Sequence, residues 1–206
     1  MALSSVDSAL VTSADAKTYL AGLSGTSAAD TVLAELVEHA SAAISVWCNR
    51  KFATATYTSE LYDGSGTPSL YLDQWPITSV TSIYLDSTRV WSSSALLTEY
   101  TALNTAGDYY PHLLEQGQGL VERVNGSWAK GQRNIKATYV AGYSTIPDAI
   151  RQACLRLIGH MYDVRTRGLH AVTSESIPGG SVTFIGHGMP TDVQQLILPY
   201  RRVAFF

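Results

Sequence analysis

The hydrophobic period changes twice along this chain, and those two changes constrain its fold more than any motif does. From about Asp30 to Asn49 the apolar residues Leu33, Leu36, Val37, Ala40, Ile44 and Trp47 follow helical spacing. At about 100° per residue they fall within an arc of about 100°, one stripe along one helix face. From Pro147 to about Arg165 the spacing returns with Ile150, Ala153, Cys154, Leu157 and Met161. Pro147 suits a first turn, where its missing N–H is harmless. Between the two stripes, residues 52–143 switch to short β-branched and aromatic runs: Tyr57–Tyr62, Ser69–Leu72, Val80–Leu85 and Ile135–Val140. Asp63-Gly-Ser-Gly66, Asp86-Ser87, Asn104–Asp108, Gln116–Gly119 and Asn125-Gly126 divide them, the pattern of a strand meander with a hairpin at Asp63–Gly66.

An α+β fold follows: a helical bundle of two long amphipathic helices plus short ones, with a small antiparallel β-domain inserted between the long helices. The expected boundaries are 1–51 with 144–206 for a discontinuous helical domain, and 52–143 for the β-module. The matched stripes should pack together, making Leu33, Leu36, Val37, Ile44, Trp47, Ile150, Cys154, Leu157 and Met161 the hub of the helical core.

Shorter elements flank this frame. Ser13 is placed to cap a helix over Ala14–Leu20, closed by Gly22. The segment Gly168–Gly188 holds five glycines and Pro178, and its ordering entropy is high for the few local contacts it offers. Its one strand-like run, Ser181, Val182, Thr183, Phe184 and Ile185, is expected to be fixed by neighbours, either pairing between subunits or lining a lumen. A last helix over Thr191–Leu198 should stop at Pro199, which would launch the tail away from the domain. That tail combines Tyr200, Phe205 and Phe206 with Arg201 and Arg202, residue types that dominate interface hot spots.

The chemistry of catalysis is thin. The five histidines, His39, His112, His160, His170 and His187, form no i,i+4 pair, and neither cysteine has a cysteine near it in sequence. Asp63–Gly66 lacks the further oxygen ligands of a calcium loop and the Gly-Lys-Ser/Thr of a phosphate loop. No Gly-x-Ser-x-Gly elbow occurs. No catalytic residue, metal or cofactor is therefore expected. Cys48 and Cys154 fall on apolar helix faces and are expected to be buried, reduced thiols. The 14 basic and 17 acidic residues give a net charge of −3, which disfavours wrapping of nucleic acid. Residues 144–206 alone carry six arginines against four carboxylates. No run approaches the roughly 18 apolar residues of a membrane span, and residues 1–16 lack the regions of a signal peptide. The expectation is a chain that is cytosolic when made.

Read in order, several stretches resemble the tailed-bacteriophage head–tail connector proteins, also called adaptor or head-completion proteins. They are Leu10–Leu20, the exit Trp47-Cys-Asn-Arg-Lys-Phe52, Tyr62–Gly66, Leu70–Leu72 and Pro76–Val80. Trp128, Gly131, Asn134–Tyr143, Pro147 and Tyr200–Arg202 complete the set. The departures are Ser87–Gly119 and the glycine-rich segment before the last helix. The resemblance implies a structural virion protein at the head–tail interface, with about twelve copies in a homo-oligomeric ring beneath the portal. Such a ring extends the DNA channel, meets DNA only in transit without sequence-specific binding, and has no membrane role. It docks its C-terminal residues on the portal protein and offers a platform to a neck or tail-completion protein. Two other readings compete. A carbohydrate- or surface-binding β-module would display Trp75, Tyr84 and Trp91 together on one sheet face. A small hydrolase would need a pocket of titratable groups.

Overall fold

The computed structural model describes residues 9–20, 27–113, 119–167, 174–177, 180–183 and 189–202. Among these, four α-helices and antiparallel sheets make an α+β fold in two compact units, residues 1–50 with 146–206, and 51–145.

The first unit is helical. Helix α1 spans Ser13–Tyr19, α2 Ser27–Cys48, α3 Asp148–Arg167 and α4 Thr191–Ile197, which runs into a 3-10 turn at Leu198–Tyr200. The cap of α1 is Thr12, not Ser13. The Thr12 hydroxyl accepts from the Asp15 N–H at 3.1 Å, and the Asp15 carboxylate accepts from the Thr12 N–H at 3.1 Å. This reciprocal box needs an acidic residue three positions on, which Thr12 has and Ser13 lacks. Gly22 lies outside the described residues.

Helix α3 is the centre of the unit, packed against α1, α2 and α4. Ile150, Ala153, Cys154 and Leu157 are buried as their spacing predicts, and so are Leu155 and Ile158 on a second face. From α2, Leu33, Leu36, Val37, Ala40 and Ile44 are buried, and Ser41 Oγ meets Cys154 Sγ at 3.8 Å. Exposed ion pairs cross every one of these helix joints and the α1–α2 joint: Lys17–Asp30, Arg151–Asp15, Arg165–Glu35 and Arg156–Asp192. Each contributes less than about 1 kcal/mol, so they set alignment more than stability.

Two residues placed in the hub do not reach the core. Trp47 and Met161 are half-buried. Trp47 is the penultimate residue of α2, and Met161 lies in the last third of α3. A stripe that continues to a helix end outruns the surface that covers it. Beyond α3, Ser174–Ile177 (β8) and Gly180–Thr183 (β9) form an antiparallel pair. The run expected at 181–185 thus begins one residue earlier and pairs with a strand of its own chain. Phe184 and Ile185 lie outside the described residues.

The second unit holds seven strands: β1 Ala55–Gly64, β2 Ser69–Tyr71, β3 Ile77–Leu85, β4 Leu96–Leu97, β5 Tyr109–Pro111, β6 Leu120–Arg123 and β7 Gly131–Ala141. They are not a meander in chain order. One sheet runs β1-β7-β3-β4 and the other β2-β6-β5. Strand β7, last in sequence, is central because it alternates Ile135, Ala137, Tyr139 and Ala141 as fully buried side chains. The core joins these to Leu70, Leu72, Ile77, Ile83, Tyr109, Val121 and Trp128.

The Asp63–Gly66 turn is no hairpin, since β1 pairs with β7 and β2 with β6. It carries the chain from one sheet to the other and is stitched to residues 128–134. Asp63 Oδ1 accepts from the Arg133 N–H at 2.6 Å, Asn134 Oδ1 from the Gly64 N–H at 2.8 Å, and the Trp128 carbonyl from the Gly66 N–H at 2.8 Å. A Cβ on Gly64 would sit 1.8 Å from the Ala129 carbonyl oxygen, so only glycine fits that approach.

Candidate assembly interface

The described part of the C-terminal segment folds back rather than away. Pro199 sits inside the 3-10 turn, and the chain then extends over the end of α2. The Arg202 N–H donates to the Cys48 carbonyl at 2.9 Å, satisfying one of the orphan acceptors at a helix terminus. The Arg201 guanidinium lies 4.9 Å from the Trp47 ring centroid, a cation–π contact that engages the indole at the edge of the core. Asn49 takes the left-handed conformation (φ 52°) that ends α2, a role in which asparagine is second only to glycine. Tyr200, Arg201 and Arg202 therefore leave the fold from a fixed root. Phe205 and Phe206 lie outside the described residues.

Burial raises the Cys48 thiol to about 12, against the opposing pull of Arg50 and Arg201, and raises Cys154 to about 11 against the Ser41 hydrogen bond. Both thiols are buried and unpaired with each other, as small hydrophobes would be.

The titratable groups of the second unit hold structure together. Tyr62 and Tyr139 both donate to Glu60 Oε2, at 2.5 and 2.7 Å. They accept from the backbone N–H groups of Asp73 and Gln74, at 3.1 and 3.2 Å. Burial first pushes both phenols far above their ordinary range. The Glu60 carboxylate adds to it for Tyr62, against the opposing pull of the Tyr139 hydrogen bond, and Tyr62 and then Glu60 add to it for Tyr139. Each hydroxyl is used as donor and acceptor, so the network pins the 73–74 loop to the sheet. His112, just past the end of β5, meets Glu122 of β6 at 2.8 Å. No group of three or more His, Cys, Asp or Glu side chains is arranged to hold a metal among the described residues. Gly186-His-Gly188 lies outside them. No helix among the described residues is long and apolar enough to cross a membrane.

The aromatic platform does not exist. Trp75 is buried, Tyr84 and Trp91 are half-buried, and Lys136 Nζ sits over both of the latter, at 4.4 and 5.0 Å. On the same β-module Tyr62 is half-buried and Tyr71 is exposed. Cross-strand packing thus accounts for most of them.

With helical and β units described, the chain can be set beside known proteins. A family model described as head completion protein matches residues 9–203. The chain belongs to the head completion protein family. Head completion proteins are structural components of a virion and not enzymes, which removes the hydrolase reading. No curated protein matches this head completion protein significantly. Several solved structures share its fold. The neck of an empty GTA particle computed with C6 symmetry matches with TM-score 0.63 and 18% identity, covering 99% of this chain and 95% of that one. The virion of a native gene transfer agent (GTA) particle matches at 0.58 and 16%, with the same coverage. The neck of the native GTA particle computed with C12 symmetry matches at 0.54 and 16%, again over 99% and 95%.

Proposed function

We propose that this head completion protein forms a ring of about twelve copies beneath the portal. There it joins the head to the neck of a phage-like particle and continues the DNA channel. Family membership over residues 9–203 is the observation that carries this reading. The near-complete overlap with chains from neck structures solved under C6 and C12 symmetry supports a ring. A helical domain (1–51 with 144–206) interrupted by a β-module (52–143) supplies two bodies for two neighbours. The helical one docks on the portal protein, leaving the β-module for a neck or tail-completion protein. DNA passes through without sequence-specific contact. Assembly takes place in the host cytoplasm, before the particle leaves.

The docking element is the C-terminal tail, with Tyr200, Arg201 and Arg202 at its root and Phe205 and Phe206 at its end. Aromatic and arginine side chains supply affinity per residue, and a ring multiplies a modest single-site affinity. The strand pair containing Ser181, Val182 and Thr183, with Phe184 and Ile185 beyond it, meets the next subunit or lines the lumen. A two-stranded pair is only marginally stable alone, which favours a neighbour on its free edges. Because Arg202 caps α2, removing residues 200–206 would damage the fold as well as the anchor. The discriminating variant is therefore F205A/F206A, tested for binding to purified portal. The expected result is a loss of portal binding of about tenfold or more with an unchanged melting temperature. Wild-type binding by this variant would refute the tail as anchor.

A further inference from the structure

The end of α2 carries more exposed apolar surface than a helix terminus needs. Val46 is 81% exposed and Leu198, which follows the Ile197 carbonyl that meets Cys48 Sγ at 4.0 Å, is 58% exposed. In the same two segments half-buried Trp47 and exposed Arg201 are held ring to guanidinium, and Arg202 is fixed by its backbone bond to Cys48. The two contributing segments, residues 39–50 and 193–206, contain no aspartate or glutamate. Of their three arginines Arg50 is buried, and exposed Arg201 with half-buried Arg202 makes this corner basic. Elsewhere in the helical unit Arg151, Arg156 and Arg165 face carboxylates. Arg201 instead faces an indole, which orders the guanidinium without neutralising it.

We propose that the last turn of α2 and residues 198–202 form one pad, both apolar and basic, that takes an acidic segment of the portal bearing an apolar side chain. This rests on the portal-docking reading above and extends it: the tail is one part of the contact, and Val46, Trp47 and Leu198 are the other. Arg201, already ordered by Trp47, loses little side-chain freedom when it meets a carboxylate, and its planar fork suits two-point recognition. A phosphate backbone would use the guanidinium but leave Val46 and Leu198 unmatched by anything apolar. The combination favours a protein segment over nucleic acid.

The test is binding of the full chain to immobilised, purified portal, comparing wild type with V46D, L198D, R201E, R201K and F205A/F206A. Duplex DNA is added as a separate analyte. Val46, Leu198 and Arg201 are exposed, so these variants should stay folded. A modest loss of melting temperature is expected in R201E, which gives up the Trp47 contact, and in V46D, which places an anion in the last turn of α2. Binding is compared at a temperature where each is fully folded. V46D, L198D and R201E should each weaken portal binding about tenfold or more, and R201K less than that. The loss of charge-dependent binding in R201E should also flatten the salt dependence. Wild-type affinity in V46D, L198D and R201E, with F205A/F206A impaired, would overturn the pad while leaving tail docking intact. DNA binding that R201E abolishes, with portal binding untouched by V46D and L198D, would make it a phosphate site and also overturn it. Failure of wild type to bind portal at all would bring down the docking reading, and the pad with it.

Discussion

Asn134 shows how one side chain can lock distant stretches of chain together. It is 3% exposed, its Oδ1 accepts from the Gly64 N–H, and its Nδ2 donates to the Ala129 carbonyl at 2.7 Å. Truncation leaves a buried donor without a partner and an acceptor stranded nearby. Asn134→Ala is expected to destabilise the protein by about 2–4 kcal/mol, read as a shift of the urea midpoint. Asn134→Asp would keep the acceptor for Gly64 but turn a second oxygen toward the Ala129 carbonyl. It should destabilise as well, and less at low pH, where a protonated carboxyl regains a donor. The two thiols give a second prediction at this scale. Both titrate well above the ordinary thiol range because burial disfavours the thiolate. Neither should react with a thiol-specific disulfide reagent at pH 8 in the native protein, and both should react once unfolded. The sign for stability follows: the fold favours the protonated thiol, so this contribution is complete below the unfolded thiol pKa. It is lost as pH rises through about 11 to 12. Asp86 runs the opposite way. Hydrogen bonds from the Thr88 side chain and backbone, then from Trp91 and Val90, lower its pKa. Its loop should stay ordered above the ordinary carboxylate pKa and loosen as pH falls through the lowered value, as Thr88 and Trp91 amide shifts would report.

At the scale of elements, α2 and α3 test how burial translates into stability. Leu157, 2% exposed on α3, should cost about 2–5 kcal/mol when replaced by alanine. Trp47→Ala should cost only about 1–2 kcal/mol, because its ring is half-buried and loses chiefly the Arg201 contact. Thermal or chemical denaturation of both variants measures the difference, and the reverse ranking would mean that Trp47 belongs to the core after all. The long helices were legible in sequence because each repeats one apolar stripe over several turns. Strand β7 was legible in part, as the β-branched and aromatic run Ile135–Val140 inside Gly131–Ala141. Strands β4, β5 and β6 were not, for a physical reason. They are two to four residues long, and side chains place them as much as pattern does. Asp108 Oδ2 accepts from the Thr98 N–H at 2.9 Å and its hydroxyl at 3.1 Å, and Asn104 Nδ2 donates to the Glu99 carbonyl at 3.0 Å. Such contacts carry no period. The Asp63–Gly66 turn misled for a related reason: its glycines signal a tight turn, but only Arg133 and Asn134, far along the chain, decide which strand follows it. The Arg201–Trp47 stack was equally hidden, since neither residue type nor spacing links a helix end to a chain end. The composition of the tail did mark Tyr200–Arg202, although not that these residues fold back on α2.

For the whole molecule, two compact units and family membership point to assembly rather than catalysis. The polar chemistry described here, from the Glu60–Tyr62–Tyr139 network to the ion pairs around α3, holds each unit in shape. A surface that mixes exposed apolar and basic side chains lies at the end of α2. The most direct test of the account is electron microscopy of the purified chain mixed with its purified portal. A closed ring of added density, about twelvefold, on one face of the portal and coaxial with its channel is the predicted result. A chain that stays unassembled under saturating portal, or that binds it as scattered single copies away from the channel axis, would contradict it.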